Sequence, residues 1–189
     1  MARKARRGRR RSVRRRVFGF LGVFVLLAGV AIAVAVLDAR TTRTVSGVPI
    51  VIDGDTLVLS GQRVRLAGID APELEQACGR GDAEYACGRQ ARRYLVDLAG
   101  KARTDCTGNQ EDRYGRLLAR CVSATTELNS AMVLGGWAVS YGGYQREERA
   151  ARDARAGIWA GTFERPAAWR ARRGVAAGSR PPGIWTDGR

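Results

Sequence analysis

Short apolar runs broken by polar turns dominate the chain from residue 48 onward. Runs at 48–52, 56–60 and 62–67 predict three strands from the spacing of their β-branched and polar residues. Asp53-Gly54-Asp55 forms the turn or bulge between the first two, and Ser60-Gly61 gives a hairpin signal before the third. Alternation along the third strand puts Arg65 on the face opposite Val64 and Leu66. Ala71-Pro72 ends this run, and 75–82, with Gly79 and Gly81, reads as a loop. Ala86, Gln90, Tyr94 and Leu98 recur at helical spacing, predicting a helix over 84–98 that stops at Gly100. Strands follow at 101–106 and 117–122, then helices at 126–134 and 146–156, the last stopped by Gly157. Ile158, Trp159, Phe163 and Trp169 are expected to pack that helix down. The pattern predicts an α+β fold: a five-stranded Greek-key barrel of the OB type with about three helices.

Residues 17–37 form a different pattern, twenty-one uncharged and mainly apolar positions. As a helix they would measure roughly 31 Å, about a bilayer core. The Arg-rich residues 1–16 before them should stay cytoplasmic, placing everything after Leu37 outside. A cleaved signal peptide is the alternative, and export follows either way, as secretion in that case. The expected organisation is a basic N-terminus (1–16), a transmembrane helix or anchor (17–37), a tether (38–46), the main folded domain (47–173) and a flexible C-terminal tail (174–189).

Charge changes this picture little. The net charge is +15, yet ten Lys/Arg lie in residues 1–16 and six in the last 26, while 38–163 hold seventeen basic and sixteen acidic residues. The global basicity therefore says little about a substrate groove. The absence of histidine excludes more: Ser-His-Asp triads, His-pair ribonuclease chemistry, phosphohistidine and His-ligated metal sites. Cys78, Cys87, Cys106 and Cys121 all follow the apolar span, where disulfides persist, and three pairings are open. A four-Cys zinc site lacks any C-x-x-C pair to build on.

The remaining chemistry concentrates between residues 50 and 73. Asp53 and Asp55 bracket Gly54 at one strand end, Arg65 interrupts a second apolar run, and Asp70 and Glu73 flank Ala71-Pro72 at its end. Carboxylates clustered with a guanidinium suggest metal-assisted chemistry on an anion such as a phosphate. Each piece also has a plainer reading: a turn at 53–55, a solvated strand residue at Arg65, a helix start at 70–73.

Three motifs in order resemble the staphylococcal nuclease (thermonuclease) family over about residues 45–160: 52–56, 65–73 and 112–116. Gly136-Trp137-Ala138 and Gly157-Ile158-Trp159 fit the family's helical part too. The resemblance implies an OB barrel hydrolysing phosphodiesters of DNA and RNA with one Ca²⁺ and leaving 3′-phosphates. By position it implies Asp55, Asp70 and the Ala71 carbonyl as calcium ligands. Arg65 and Arg116 would contact the scissile phosphate, and Glu73 would orient or deprotonate the attacking water. Arg113, Tyr114 and Tyr141 would lie along the substrate groove, with Asp53 and Thr56 as structural support. No protein partner is inferred, and a monomer is expected. A non-catalytic module binding nucleic acid or another polyanion, and a phosphodiesterase on a surface polymer, are the competing readings.

Overall fold

The computed structural model of the chain describes residues 23–34 and 42–174. Residues 23–34 form a helix, α1, whose large apolar side chains are exposed. The flanks of the expected span, 17–22 and 35–37, lie outside the described residues, as do residues 1–16 and 175–189. Among the described residues no helix is long and apolar enough to cross a membrane.

The unit after Thr42 is mixed α+β. It begins with β1 (Arg43–Gly47), β2 (Ile50–Val51), β3 (Thr56–Leu59), β4 (Gln62–Leu66) and β5 (Ile69–Asp70). A hairpin, β6 (Cys78–Arg80) and β7 (Ala83–Tyr85), leads into α2 (Cys87–Ala99). Then come β8 (Thr104–Glu111), β9 (Leu117–Ser123), β10 (Thr126–Glu127), α3 (Leu128–Leu134), β11 (Val139–Ser140) and α4 (Gln145–Asp153). A 3₁₀ turn (Gly157–Ala160) and α5 (Pro166–Arg172) complete the described chain.

Seven strands form one sheet in the order β1-β8-β9-β4-β3-β2, with β10 on the side of β9. All its pairings are antiparallel except β4 with β9. A parallel neighbour needs a long crossover, and the segment containing α2 and β8 supplies it. The sheet curls into a half-barrel, and the Ser60 hydroxyl donates to the Ser46 carbonyl at 2.8 Å, drawing the β3 end towards β1. Leu57, Leu59, Val64, Leu66 and Leu117 fill the concave side with Leu95, Leu128 and Met132 from the helices. Buried Asn129 stitches α3 to the sheet: its carbonyl accepts from the Cys121 N–H, and its amide donates to Ala67 and Ala119 carbonyls.

This architecture fits the OB-like expectation, with corrections. The stretch expected as a tether contains β1, because residues 43–47 find a partner edge in β8. The 75–82 loop holds half a hairpin, pinned by a Cys78–Cys87 disulfide. Five strands become a seven-stranded sheet flanked by two small ladders, and α5 adds a helix where only packing residues were expected. Pro166 at its first turn explains the start, since proline suits a position whose N–H has no helical partner.

Of the three open cysteine pairings, the chain adopts Cys78–Cys87 and Cys106–Cys121. The second joins directly opposed residues of β8 and β9 inside the core. Replacing both Cys106 and Cys121 with Ala is expected to lower unfolding free energy by roughly 3 kcal/mol, from the loop the bridge closes. Urea denaturation checks this; an unchanged midpoint would contradict a stabilising bridge.

Candidate active site

The site starts at the 53–55 turn. Asp53 Oδ1 accepts the Asp55 N–H at 3.1 Å, and the N–H groups of Ile52 and Asp53 donate to the Thr56 carbonyl. Side-chain capture of a backbone N–H two residues on is how Asp stabilises a tight turn. Gly54 is required by close approach, because a Cβ there would lie 2.6 Å from the Ala71 Cβ and 3.0 Å from the Ala91 Cβ. The turn is therefore pressed against Ala71, which lies between the acids Asp70 and Glu73.

Arg65 sits opposite Thr56 in the β3/β4 register and projects away from the core-facing Val64 and Leu66. Its guanidinium joins two carboxylates, Nη1 to Asp55 Oδ1 at 2.7 Å and Nη2 to Asp70 Oδ1 at 2.8 Å. Asp55 also accepts from the Thr56 hydroxyl and the Ala71 N–H, both at 3.1 Å. Burial pushes the Asp55 carboxyl up to about 7; Arg65 pulls against this, while Asp53 and Asp70 add to it. Arg65 is itself raised, since the two acids outweigh the desolvation that would lower it.

Arg116 arrives from a separate stretch of the chain. It directly precedes Leu117, which pairs with Val64 across the parallel β4/β9 contact. Asp112 orients it: Oδ1 accepts the N–H groups of Tyr114 (2.9 Å) and Arg116 (3.0 Å), and Oδ2 accepts the Arg116 Nε at 2.7 Å. Arg116 Nη1 reaches the Thr56 hydroxyl at 3.4 Å, tying this turn to β3. The Tyr114 ring lies near both neighbouring guanidiniums, 4.9 Å from Arg113 and 5.5 Å from Arg116. Arg113 is exposed, Tyr114 half-buried and Arg116 buried.

Glu73 is held by the turn after Pro72. Its N–H donates to Gln76 Oε1 and its carbonyl accepts the Gln76 N–H. A Cβ on Gly88 would lie 1.7 Å from the Glu73 carbonyl oxygen, so α2 packs directly on this turn. Sequence reasoning missed the partner of Glu73. Arg170 of α5 donates to Glu73 at 2.9 Å and grips both Asp70 oxygens at 3.0 Å. No local signal marks it within the basic run 170–173.

Asp53, Asp55, Arg65, Ala71, Glu73 and Arg116 line one cavity of about 20 Å³ with Gly54 and Pro72, while Asp70 lies behind this lining on Arg65, and Arg113 and Tyr114 are not part of it. This is room for one water-sized or ion-sized occupant. Tyr141 stands near Arg65 as an exposed residue whose N–H donates to the Gly68 carbonyl. Tyr144 belongs to the packing, with its hydroxyl on Glu127 at 2.7 Å. Among the described residues no three or more His, Cys, Asp or Glu side chains converge to hold an ion by themselves. The donors beside the cavity are hard carboxylate oxygens, however, which suit a divalent cation completed by main-chain oxygen and water.

Burial raises the Asp112 carboxyl, but the Arg116 side chain and two backbone N–H groups outweigh it, and the net shift is downward. Asp112 therefore contributes stability that is full above the ordinary carboxylate range and is lost as pH falls through its lowered value. Asp112→Asn is expected to lower the urea midpoint at pH 6 and to flatten the acid limb between pH 5 and 2. A midpoint unchanged at pH 6 would contradict this.

Residues 63–161 match the family of staphylococcal nuclease homologues. The chain is 36% identical over 131 residues to the succinoglycan biosynthesis protein ExoI of Rhizobium meliloti (strain 1021), covering 65% of this chain and 68% of that protein. It is 34% identical over 142 residues to a micrococcal nuclease of Shigella flexneri, covering 64% and 76% respectively. An uncharacterized endonuclease of Haemophilus influenzae is 31% identical over 163 residues, covering 77% and 84%. The matched segment spans β4, both arginines that meet at the cavity, and the helices through the 3₁₀ turn. The chain belongs to the staphylococcal nuclease homologue family.

Proposed function

We propose that the chain is a Ca²⁺-dependent nuclease that hydrolyses phosphodiesters of DNA and RNA by attack of water, leaving 3′-phosphates. The observation that carries this reading is the water-sized cavity where Arg65 and Arg116, from separate segments, face Asp55 and Glu73. The relatives named as a micrococcal nuclease and an endonuclease support the reaction class.

Asp55 and Asp70, with the Ala71 carbonyl, are the proposed Ca²⁺ ligands. Bound there, the ion supplies positive charge to the phosphate and lowers the pKa of nearby water. The rest of the chemistry falls to side chains. Arg65 commits two of its five N–H donors to Asp55 and Asp70, which leaves others for a phosphate oxygen. Arg116 retains free N–H positions beyond those on Asp112 and Thr56. The two guanidiniums stabilise the charge that builds as phosphorus becomes five-coordinate, and their buried anchors hold them in advance. Glu73 accepts the proton of the attacking water as the P–O5′ bond breaks, and the 5′-oxygen takes a proton from solvent. Arg113, Tyr114 and Tyr141 line the path of the nucleic acid, where an aromatic face between guanidiniums suits a base or sugar. These groups meet phosphates and base or sugar faces that DNA and RNA share, which gives recognition a low sugar specificity.

The domain acts outside the cytoplasm as a monomer, anchored through residues 17–37. Two disulfides and the basic segment before the apolar run support that placement. A second reading, hydrolysis of a phosphodiester-linked surface polymer, is favoured by the 36% identity to a succinoglycan biosynthesis protein.

The test is cleavage of single-stranded DNA by the full-length protein in mild detergent, with Ca²⁺ and then with EGTA. Ca²⁺-dependent cleavage is expected, and DNA binding without cleavage under any divalent ion would overturn the nuclease reading. Arg116→Ala is expected to reduce kcat by about 10²-fold or more, as for loss of a charge-stabilising donor. Glu73→Gln should reduce turnover while calorimetry still shows Ca²⁺ binding; a lost isotherm would make Glu73 a ligand instead.

A further inference from the structure

Arg170 sits in the site without belonging to the segment that builds it. It comes from α5, beyond the 63–161 family match, and its side chain is only 10% exposed. Nη1 and Nη2 grip the two oxygens of Asp70 at 3.0 Å each, and Nη1 also reaches Glu73 at 2.9 Å.

α5 is docked by other contacts as well. Trp169 is buried, and the Gln76 side chain donates to the Glu164 carbonyl at 2.6 Å. Arg165 pairs with Glu148 at 2.9 Å, and Arg172 pairs with Glu164 at 2.6 Å. Gln76 and Glu148 hold the residues just before the helix, Arg172 pairs only within its own segment, and Arg170 is the charged tie from the helix itself to the acids. Its effect on Asp70 is specific. Oδ1 already accepts from Arg65 at 2.8 Å, so the second bond from Arg170 fills both lone-pair directions of that oxygen. Oδ2 is engaged as well. Arg65 gives Asp70 one bond and shares its charge with Asp55, so Arg170 is the cation whose departure would open a lone pair on each Asp70 oxygen for a divalent ion.

Resting on the Ca²⁺ site at Asp55 and Asp70 given above, we propose that Arg170 is the resident counter-cation of this site. It neutralises Asp70 while no ion is bound, has to leave Asp70 when Ca²⁺ arrives, and so sets the affinity for the ion. Arg170 is a positioning residue that acts through Asp70 and Glu73. Exchange of one cation for another keeps the buried acids compensated in both states, which avoids the cost of an unpaired buried carboxylate. The ion therefore binds more weakly than the carboxylates alone would hold it, and its entry loosens α5.

Two measurements on the full-length protein in mild detergent test this. Calorimetric titration with Ca²⁺ compares the unsubstituted protein with Arg170→Gln and Arg170→Lys. Gln should tighten binding by about tenfold to a hundredfold, the scale of a charge-assisted hydrogen-bonded pair. Lys, a single point charge without the fork, should fall between. Hydrogen exchange over residues 166–172 of the unsubstituted protein should rise on adding Ca²⁺. Equal or weaker binding by a folded Arg170→Gln overturns the proposal, and so does α5 protection that Ca²⁺ leaves unchanged or increases. Should Arg170→Gln not fold, the exchange result decides. No Ca²⁺ binding by any of the three proteins refutes the calcium reading itself, an outcome distinct from binding that ignores residue 170.

Discussion

The guanidinium of Arg65, set between the carboxylates of Asp55 and Asp70, is the interaction on which the rest of the site depends. All three side chains are largely withdrawn from solvent. Two acids this close would repel in a low-dielectric setting, and Arg65 makes their proximity tolerable by bonding each with a separate nitrogen. The bridge also joins two local structures, the 53–55 turn and the short β5 strand. Gly54 makes the junction sterically feasible, since nothing larger fits between it and Ala71.

Around that bridge the fold places positive charge from three distant parts of the chain. The parallel β4/β9 pairing carries Arg116 to the cavity, and the 112–116 turn orients it through Asp112. Donors anchored in this way need little reorganisation when an anion arrives, the condition under which electrostatic stabilisation is strongest. Arg170 supplies the third charge and returns the C-terminal segment to the site. Buried Glu148 supports that return, because it binds Arg152 and Arg165 and also accepts the Ser140 N–H, linking β11, α4 and the approach to α5.

Much of this was legible along the chain. Asp53, Asp55, Arg65, Asp70 and Glu73 lie within 21 residues, and their chemistry follows from turn signals, strand alternation and a familiar order of motifs. Arg65 facing away from Val64 and Leu66 needed only the two-residue period of a strand. Other features carried no local mark. The 43–47 stretch became a strand because β8 offered an edge, and the cysteine pairing followed from opposed positions in β8 and β9.

The sequence by itself determined the local elements and the residue types that can handle a phosphate without histidine, because turns, alternation and side-chain chemistry are short-range properties. Only the tertiary structure decided which charges meet. Arg170 reaches Asp70 across a separation of 100 residues, and Arg116 reaches Thr56 across 60. Such pairings are set by which buried acids need a partner and which packed segment brings one within about 3 Å. Spacing along the chain does not encode that distance.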